Sequence, residues 1–201
     1  MKTIARERTR SLAAGFGLLA LLVCASPRTI AGNTAGAKST IRTWRNPERA
    51  TAAAMIEKYG GPPQFDSHAL VWFNNGNWKR TIVYRKGVKR SAPDKEFLQQ
   101  AIGYIVPNDK IAALKRFDRR LEVSPTAGEL IFTSDSEATN LLALNLADEI
   151  VAGKKNVAQA REFFAKTTRL AASGKSSSYR ESLHFEVDNA RYMTPTGADD
   201  K

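Results

Sequence analysis

The stretch from 70 to 85, LVWFNNGNWKRTIVYR, constrains the fold more than any other part of the chain. Apolar residues alternate on both sides of an Asn-Asn-Gly-Asn tetrapeptide, a pattern typical of two β-strands joined by a tight turn. A turn at Asn75 and Gly76 needs positive φ at both central residues, and these two residue types tolerate it. The sequence therefore predicts an antiparallel hairpin in which Phe73 lies opposite Trp78.

The hairpin has two apolar faces, and either could be core or binding surface. Phe73 and Trp78 share the face better suited to a core, whereas Trp72 shares the other face with Lys79. A hairpin that is apolar on both faces usually lies between other elements, so at least one tryptophan is expected to be buried. The alternative is a platform in which aromatic rings stack and cations attract an anionic partner. Its residues would be Trp72, Trp78, Lys79, Arg80, Arg85 and Lys89.

The first 31 residues have the build of an export signal. Four basic residues precede an apolar run from Leu12 to Val23, and small residues follow it. Cleavage after Ala25 or after Ala31 fits the preference for small residues at the cleavage site. The apolar run is shorter than the roughly 20 residues that a membrane-spanning helix needs. We therefore predict an exported protein, periplasmic or secreted, with no transmembrane span once the signal is removed.

Cys24 is the one cysteine of the chain. With the residues LLV before it, Cys24 is similar to the lipobox of bacterial lipoproteins, in which the cysteine becomes a lipid-bearing N-terminus. Val23 departs from that pattern, which has Gly, Ala or Ser at this position. A lipid anchor through Cys24 stays open as an alternative. Cleavage after Ala25 or Ala31 would instead exclude disulfides, thiolate metal sites and cysteine nucleophiles together.

Charge limits the classes of partner. The formal net charge of the whole chain is +11, and removal of residues 1–31 leaves 26 basic against 19 acidic residues. A basic exported protein favours anionic surroundings such as lipid headgroups or acidic glycans, although solubility alone also explains a charge of this size. The expected partner is an anionic envelope component or another envelope protein. Export disfavours a nucleic-acid partner.

Helix and strand signals divide the rest of the chain. Asn46 is the predicted N-cap of a helix that runs to Tyr59, where Gly-Gly-Pro-Pro stops it. Asp109 is the predicted cap of a later helix that runs to Phe117. Between them, a helix is predicted from Pro93-Asp94. Its apolar stripe would be Phe97, Leu98, Ala101 and Ile102.

A predicted capping box opens the most strongly patterned helix. Ser134 and Glu137 are its capping residues, and the helix ends at Gly153. Asn140 falls inside the apolar arc of this helix, and a buried amide needs internal hydrogen bonds, so we expect a structural role for it. The remaining predicted elements are strands at 121–123, 129–132 and 183–187 and a helix at 156–170.

Three segments together resemble a family of bacterial exported proteins of unknown function. They are KYGGP at 58–62 with LVWFNNGNWKRT at 70–81, GELIFTSDSEATN at 128–140, and LALNLADEIVAGKKNVAQAREFF at 142–164. The resemblance covers residues 44–165 and implies export and a single α+β domain, with no particular activity. Residues 48–85 are also similar to small outer-membrane assembly lipoproteins, which place a Gly-x-Pro turn between a helix and a Trp-bearing strand.

The imidazoles available for catalysis are His68 and His184. Neither lies near a Ser in a Gly-x-Ser-x-Gly turn. Asp66-Ser67-His68 has the residue types of a catalytic triad, but adjacent residues rarely converge on one reacting atom. An exported hydrolase that uses Asp66 or Glu129 with His68 stays open as an alternative function. The sequence contains no metal-binding or phosphate-binding motif, and we predict neither a metal nor a cofactor.

These patterns together predict an α+β fold in one domain over residues 44–172. A small antiparallel sheet built on the hairpin would pack against several helices, above all those at 136–152 and 156–170. Residues 32–43 are predicted to be a flexible leader, and residues 173–201 a polar tail. The function that the sequence favours is a non-enzymatic binding or scaffold module of the bacterial cell envelope.

Overall fold

The computed structural model describes residues 33–87 and 96–187. Six antiparallel strands form one sheet in the order β1-β2-β3-β4-β6-β5. The strands are β1 (Gln64–Phe65), β2 (Ala69–Asn75), β3 (Trp78–Tyr84), β4 (Leu98–Gly103), β5 (Glu122–Ser124) and β6 (Glu129–Ser134). The predicted single-domain α+β fold with a Trp-bearing hairpin is confirmed. The predicted signal peptide, Lys89, the Pro93-Asp94 helix start and the last part of the polar tail lie outside the described residues.

Five helices and one short 3-10 turn accompany the sheet. They are α1 (Thr34–Ile41), α2 (Glu48–Tyr59), α3 (Asn108–Phe117), α4 (Glu137–Val151), α5 (Val157–Ala172) and the 3-10 turn Ser178–Arg180. Leu98 of β4 packs with α1 and α2, and Ile102 of the same strand packs with α4. Residues four apart in a strand lie on the same face, so both groups of helices cover one side of the sheet. None of the described helices is both long and apolar enough to cross a membrane.

The hairpin closes one residue later than the sequence predicts. Asn75 pairs with Trp78, so the turn consists of Gly76, at φ 66°, and the residue after it. Asn74 has φ 51°, a left-handed conformation that Asn tolerates better than most residues. The predicted pairing of Phe73 with Trp78 is wrong, because the two residues with positive φ are Asn74 and Gly76 and not an adjacent pair.

The hairpin face predicted to be core is the open one. Trp72 packs with Leu70 under α2, whereas Phe73 on the other face is 45% exposed. Trp78 also faces the helix side, where its indole N–H donates to Glu137 of α4. Both tryptophans are 2% exposed. Both faces are apolar in sequence, so the face on which the helices pack decides which one is core.

Residues 98–103, predicted to be helical, form β4 at the centre of the sheet. This strand pairs with β3 on one side and with β6 on the other. Leu98, Gln100, Ala101 and Ile102 are all buried, so both faces of this strand are covered. Periodicity cannot separate a short buried strand from a buried helix segment. Two neighbouring strands supply the backbone hydrogen bonds that decide the conformation here.

The segment predicted to be a flexible leader contains helix α1. Asn33 caps it by accepting a hydrogen bond from the N–H of Gly36 at 2.7 Å. Ala37 and Ile41 are buried against α2 and the hairpin, and Trp44, which follows the helix, is buried in the same cluster. A run of Ala, Gly, Ser and Thr gives a weak sequence signal. Packing against the rest of the protein stabilises such a short helix.

The predicted N-caps of α2 and α3 are wrong, and the predicted start of α5 is confirmed. The α2 helix begins at Glu48, so Asn46 is not its N-cap. Asp109 lies in the first turn of α3, where its charge favours the helix dipole, and not at the cap position. The α5 helix starts at the predicted Asn156, whose side chain accepts the N–H of Gln159 at 2.9 Å. Gln159 returns the bond to the N–H of Asn156, which completes a capping box.

Residues 183–187, predicted to be a strand, form an irregular segment held against α4. The buried Asn145 of α4 donates to the carbonyl oxygens of Tyr179 at 3.1 Å and Ser182 at 2.8 Å. The N–H of His184 donates to its side-chain oxygen at 2.8 Å. One side chain therefore satisfies three backbone groups that a neighbouring strand would otherwise pair. The alternating apolar residues of this segment pack on the helical layer and not in the sheet.

Candidate anion-binding surface

The tryptophans of the predicted stacking platform are internal. Trp72 Nε1 donates to the carbonyl oxygen of Gly60 at 3.0 Å, and Trp78 Nε1 donates to Glu137 Oε1 at 2.5 Å. Buried tryptophans usually find such partners for their indole N–H. With both rings buried, neither has a face left on which a ligand could stack. A platform built on these two rings is excluded by their burial.

Three cations of that predicted platform, Lys79, Arg80 and Arg85, bind internal partners, and the fourth, Lys89, lies outside the described residues. Lys79 and Arg80 bind the same buried carboxylate, Glu129, at 3.2 and 3.1 Å. Both cations are therefore held within the sheet by one carboxylate, which balances one of their two charges. Arg85 donates to two backbone carbonyl oxygens at 3.5 Å, one of them that of Thr43. Those predicted residues that the structure describes are thus not brought together into one exposed basic and aromatic site.

The Asp66-Ser67-His68 sequence does not assemble a catalytic relay. Ser67 Oγ lies 3.0 Å and Asp66 Oδ1 3.8 Å from the same ring atom, His68 Nδ1, whereas a triad uses opposite nitrogens of the imidazole. Asp66 accepts the backbone N–H groups of His68 at 2.7 Å and Ala69 at 2.9 Å, and these two bonds lower the pKa of its carboxyl group. The His68 side chain is 84% exposed. These contacts are typical of an Asx turn.

The predicted capping box at Ser134 and Glu137 is wrong, because Ser136 caps α4. Ser134 instead donates to Asn140 Oδ1 at 2.5 Å. Asn140 is fully buried, and its amide donates to the carbonyl oxygen of Leu98 at 3.3 Å. The amide of Asn140 is therefore satisfied within the protein and holds α4 against the central strand.

Glu137 is the centre of a polar cluster between α2, the hairpin and α4. Its Oε1 accepts hydrogen bonds from Tyr59, from Trp78 and, at 3.2 Å, from Gln100, while Lys58 donates to Oε2 at 2.6 Å. Burial alone would raise the pKa of Glu137, but the hydrogen bonds from Lys58, Tyr59 and Trp78 lower it. Burial, together with the neighbouring carboxylate, raises the pKa of Tyr59. A largely buried carboxylate that accepts four hydrogen bonds from within the protein has a structural role.

The positive charge of the described chain is concentrated in its first part. Residues 33–87 contain nine Lys or Arg against three Asp or Glu, whereas residues 96–187 contain twelve of each kind. Between residues 33 and 56, Glu48 is the single acidic residue. The whole surplus of positive charge in the described residues therefore belongs to α1, α2 and the hairpin.

Four exposed cations on this unit form what we call the α1–α2 basic surface: Lys38, Arg42, Arg45 and Arg49. Lys38 and Arg42 are one helical turn apart, and so are Arg45 and Arg49, since the N–H of Arg49 donates to the Arg45 carbonyl oxygen at 2.9 Å. The α1 and α2 helices pack against each other, which joins the two pairs. Within residues 33–87 and 96–187, no carboxylate lies at ion-pair distance from any of the four.

The sequence prediction missed this surface because it treated residues 32–43 as a flexible leader. One signal was present: successive cations are four, three and four residues apart, a spacing that places residues along one side of a helix. In the structure the helix is interrupted between α1 and α2, so the cations follow two packed helices and their connection. Arg85 adds a fifth positive charge beside that connection through its contact with Thr43.

No group of three or more His, Cys, Asp or Glu side chains in the part of the chain that the structure describes is placed to hold a metal ion. No protein-family model matches the chain, and neither curated proteins nor solved structures give a significant match. The family resemblance therefore stays a prediction, and function is inferred from geometry and charge.

Proposed function

We propose that this protein is an exported, non-enzymatic binding module of the bacterial cell envelope that attaches to an anionic partner through the α1–α2 basic surface. The observation that carries the proposal is the segregation of charge. The first described part of the chain has a surplus of six positive charges, and the second part has none. Lys58, Lys79 and Arg80 pair with carboxylates of the second part, whereas the four cations of the α1–α2 basic surface pair with no described carboxylate. Charges spread over the whole surface would keep the protein equally soluble, so solubility does not explain why they are concentrated in one part.

The physical basis is long-range attraction between unpaired charges. Lys38, Arg42, Arg45 and Arg49 are exposed and have no described acidic partner, so their fields are not cancelled within the protein. Clustered charges of one sign raise the local concentration of oppositely charged partners and speed their association. At physiological ionic strength this attraction extends over roughly 8 Å. Neighbouring cations on one helical turn therefore act together on the same partner.

The non-enzymatic part of the proposal is supported by the fate of the candidate catalytic groups. His68 lies in an exposed turn, with Asp66 and Ser67 near the same ring nitrogen. Glu129 is bound by two cations and lies beside the start of β3, whereas the carbonyl oxygen of His68 pairs with Arg85 beyond the far end of that strand. The carboxylate and imidazole of the alternative hydrolase are thus not adjacent.

The proposal is tested by titrating the protein with dextran sulfate, a polyanion with no sequence or shape specificity. The test variant neutralises the basic surface with Lys38→Gln, Arg42→Gln, Arg45→Gln and Arg49→Gln. The matched control removes the same charge from exposed positions elsewhere, with Lys154→Gln, Lys166→Gln, Arg169→Gln and Lys175→Gln. We expect the test variant to bind at least about tenfold more weakly than the control.

Equal weakening in the two variants would contradict the proposal, because binding would then follow net charge and not its position. Circular dichroism of each variant at the titration temperature shows whether it is folded. Since all eight positions are exposed, we expect both variants to keep the fold.

Export is tested separately by fractionating a bacterial host that expresses the full chain. The mature protein is expected in the periplasm or the medium. The mass of its N-terminal peptide distinguishes cleavage after Ala25 or Ala31 from a lipid-bearing Cys24. An intact N-terminus on a protein found only in the cytoplasm would rule out the exported role.

A further inference from the structure

We infer that the anionic partner is a bilayer surface that contains anionic phospholipids, and that the α1–α2 basic surface rests on it without inserting into the acyl chains. This inference rests on the proposed function and adds the identity of the partner. It follows from the side chains that accompany the four cations on their exposed side.

The basic surface lacks an exposed aromatic ring. Trp44 is the one aromatic residue between 33 and 58, and it is 3% exposed, beneath α1 and α2. Proteins that bind single-stranded nucleic acid combine cations with aromatic rings on which bases stack. The α1–α2 basic surface offers charge alone, so it does not favour a ligand of this kind.

The basic surface also lacks an exposed apolar anchor. Interfaces with other proteins draw most of their binding energy from a few buried aromatic or large side chains. Ile41, Met55 and Ile56 of this unit point into the core. The large apolar side chains exposed among the described residues are Phe73, Ile105 and Leu170, and none of them belongs to α1 or α2. A protein partner and insertion into the acyl region are therefore both disfavoured.

A headgroup surface fits what remains. Its phosphates repeat laterally and are mobile, so they can follow cations that lie on two helices without a rigid binding pocket. Each Lys or Arg near an anionic bilayer adds to the attraction, and the sum falls off within a Debye length. The binding is consequently expected to depend on the number of cations and on salt, and not on the geometry of any single guanidinium.

The position of the surface along the chain agrees with this partner. Thr34, the first residue of α1, is separated by only ten residues from Val23, the end of the apolar run. Ten extended residues span at most about 36 Å. If Cys24 carries a lipid, which the sequence leaves open, the basic surface is held within reach of the headgroups.

The experiment is co-sedimentation of the chain from residue 32 to 201 with three preparations of probe. They are vesicles of equal parts phosphatidylcholine and phosphatidylglycerol, vesicles of phosphatidylcholine alone, and a duplex DNA fragment. We expect binding to the mixed vesicles, little binding to phosphatidylcholine, and loss of binding when salt rises from about 0.05 to about 0.5 M. The four-site Gln variant is expected to bind the mixed vesicles about a hundredfold more weakly, whereas the matched control binds like the parent.

A charge-conserving variant separates headgroup attraction from a shaped site. Arg42→Lys, Arg45→Lys and Arg49→Lys together keep the charge but lose the planar, two-pronged guanidinium. We expect this variant to bind the mixed vesicles within about twofold of the parent. A loss as large as that of the Gln variant would overturn the headgroup inference in favour of a shaped anion site.

The remaining outcomes distinguish the two proposals. Binding of dextran sulfate or DNA without binding to mixed vesicles overturns the lipid inference and leaves the proposed anion-binding function in place. Failure to bind any of these polyanions overturns both. Equal binding to the two kinds of vesicle shows an apolar mode of attachment and also overturns the inference.

Discussion

Glu137 shows how one side chain can join elements that are distant in sequence. It begins α4, yet it receives hydrogen bonds from Tyr59 at the end of α2 and Trp78 at the start of β3. Lys58 supplies the opposite charge, so the buried carboxylate is not left unpaired. Losing a buried charged partner leaves the other groups unsatisfied, which is more destabilising than the bonds themselves are stabilising.

Replacing the Glu137 carboxylate is expected to change both the free energy of unfolding and the dependence of that free energy on pH. We expect Glu137→Gln to lower the free energy of unfolding by about 2–3 kcal/mol at pH 7. The lowered pKa of Glu137 means that the unfolded chain binds its proton at a higher pH than the folded chain. Its contribution is therefore complete above the unfolded pKa, near 4.3, and is lost as pH falls through the folded pKa.

Urea denaturation between pH 7 and pH 2 measures both effects. The parent should lose more stability than Glu137→Gln over the acid part of this range. Glu162→Gln, on the exposed side of α5, is the matched control and should follow the parent. If the acid slopes of the parent and Glu137→Gln are the same, Glu137 does not carry the assigned interaction.

At the scale of elements, the β2–β3 hairpin has one buried and one exposed face, and the helices packed on it decide which face is buried. Trp72 and Trp78 are core residues, and Phe73 between them is the exposed aromatic residue. We expect Trp72→Ala and Trp78→Ala each to destabilise the protein by about 3–5 kcal/mol. Phe73→Ala removes an aromatic ring from an exposed position and should cost less than about 1 kcal/mol. Urea midpoints of the three variants check this order, and a larger effect at Phe73 would show that the faces are reversed.

A second prediction at the scale of elements concerns helix α1. Ile41 is 5% exposed and packs with Trp44 and the hairpin. We expect Ile41→Ala to lower the free energy of unfolding by about 2–4 kcal/mol, because the substitution leaves a cavity in the core. Ala35→Ser, on the exposed side of α1, is the control and should be nearly neutral. If Ile41→Ala leaves the free energy of unfolding unchanged, residues 32–43 are the flexible leader that their composition suggested.

At the scale of the whole molecule, β4 joins two hydrophobic clusters into one core. Leu98 belongs to the cluster under α1 and α2, and Ile102 belongs to the cluster under α4. Because both residues lie on one rigid strand at the centre of the sheet, neither cluster can be lost without disturbing the other. This arrangement favours a single cooperative unfolding transition.

Fluorescence of the three tryptophans can test that cooperativity. Trp44 and Trp72 lie in the first cluster and Trp78 in the second. In urea, Trp78→Phe leaves only reporters of the first cluster, and Trp44→Phe combined with Trp72→Phe leaves only a reporter of the second. We expect the fluorescence midpoint of each variant to coincide with its own far-ultraviolet circular dichroism midpoint. Separate midpoints within one variant would show that the clusters unfold independently.

The edges of the sheet determine how readily the whole molecule pairs with the strands of a second chain. The edge strands β1 and β5 contain two and three residues, and Pro62-Pro63 immediately precede β1. Short edge strands and adjacent prolines limit pairing with a second chain, since they present few free backbone groups. The open face of the sheet is thereby combined with edges that resist strand addition.

The sequence by itself determined the elements whose signals are local. The Asn-Gly region required a turn, Asn156 marked a helix start, and alternating residues in β2 and β3 required strands. These features depend on backbone conformation and neighbouring side chains, which lie within a few residues of each other. The α+β class followed from them, because strands and helices with apolar stripes must bury those stripes against each other.

The tertiary structure alone decided which apolar faces are buried and which charges remain free. Leu98 to Ile102 became a strand because two neighbours pair with it, and Trp72 became core because α2 covers it. Lys79 and Arg80 bind Glu129 and are not available to a partner, whereas Lys38, Arg42, Arg45 and Arg49 have no described acidic partner. Burial and ion pairing depend on residues that are far apart in the chain. A local sequence pattern therefore identifies candidate core and binding residues, and only the three-dimensional packing decides which of them are buried or paired.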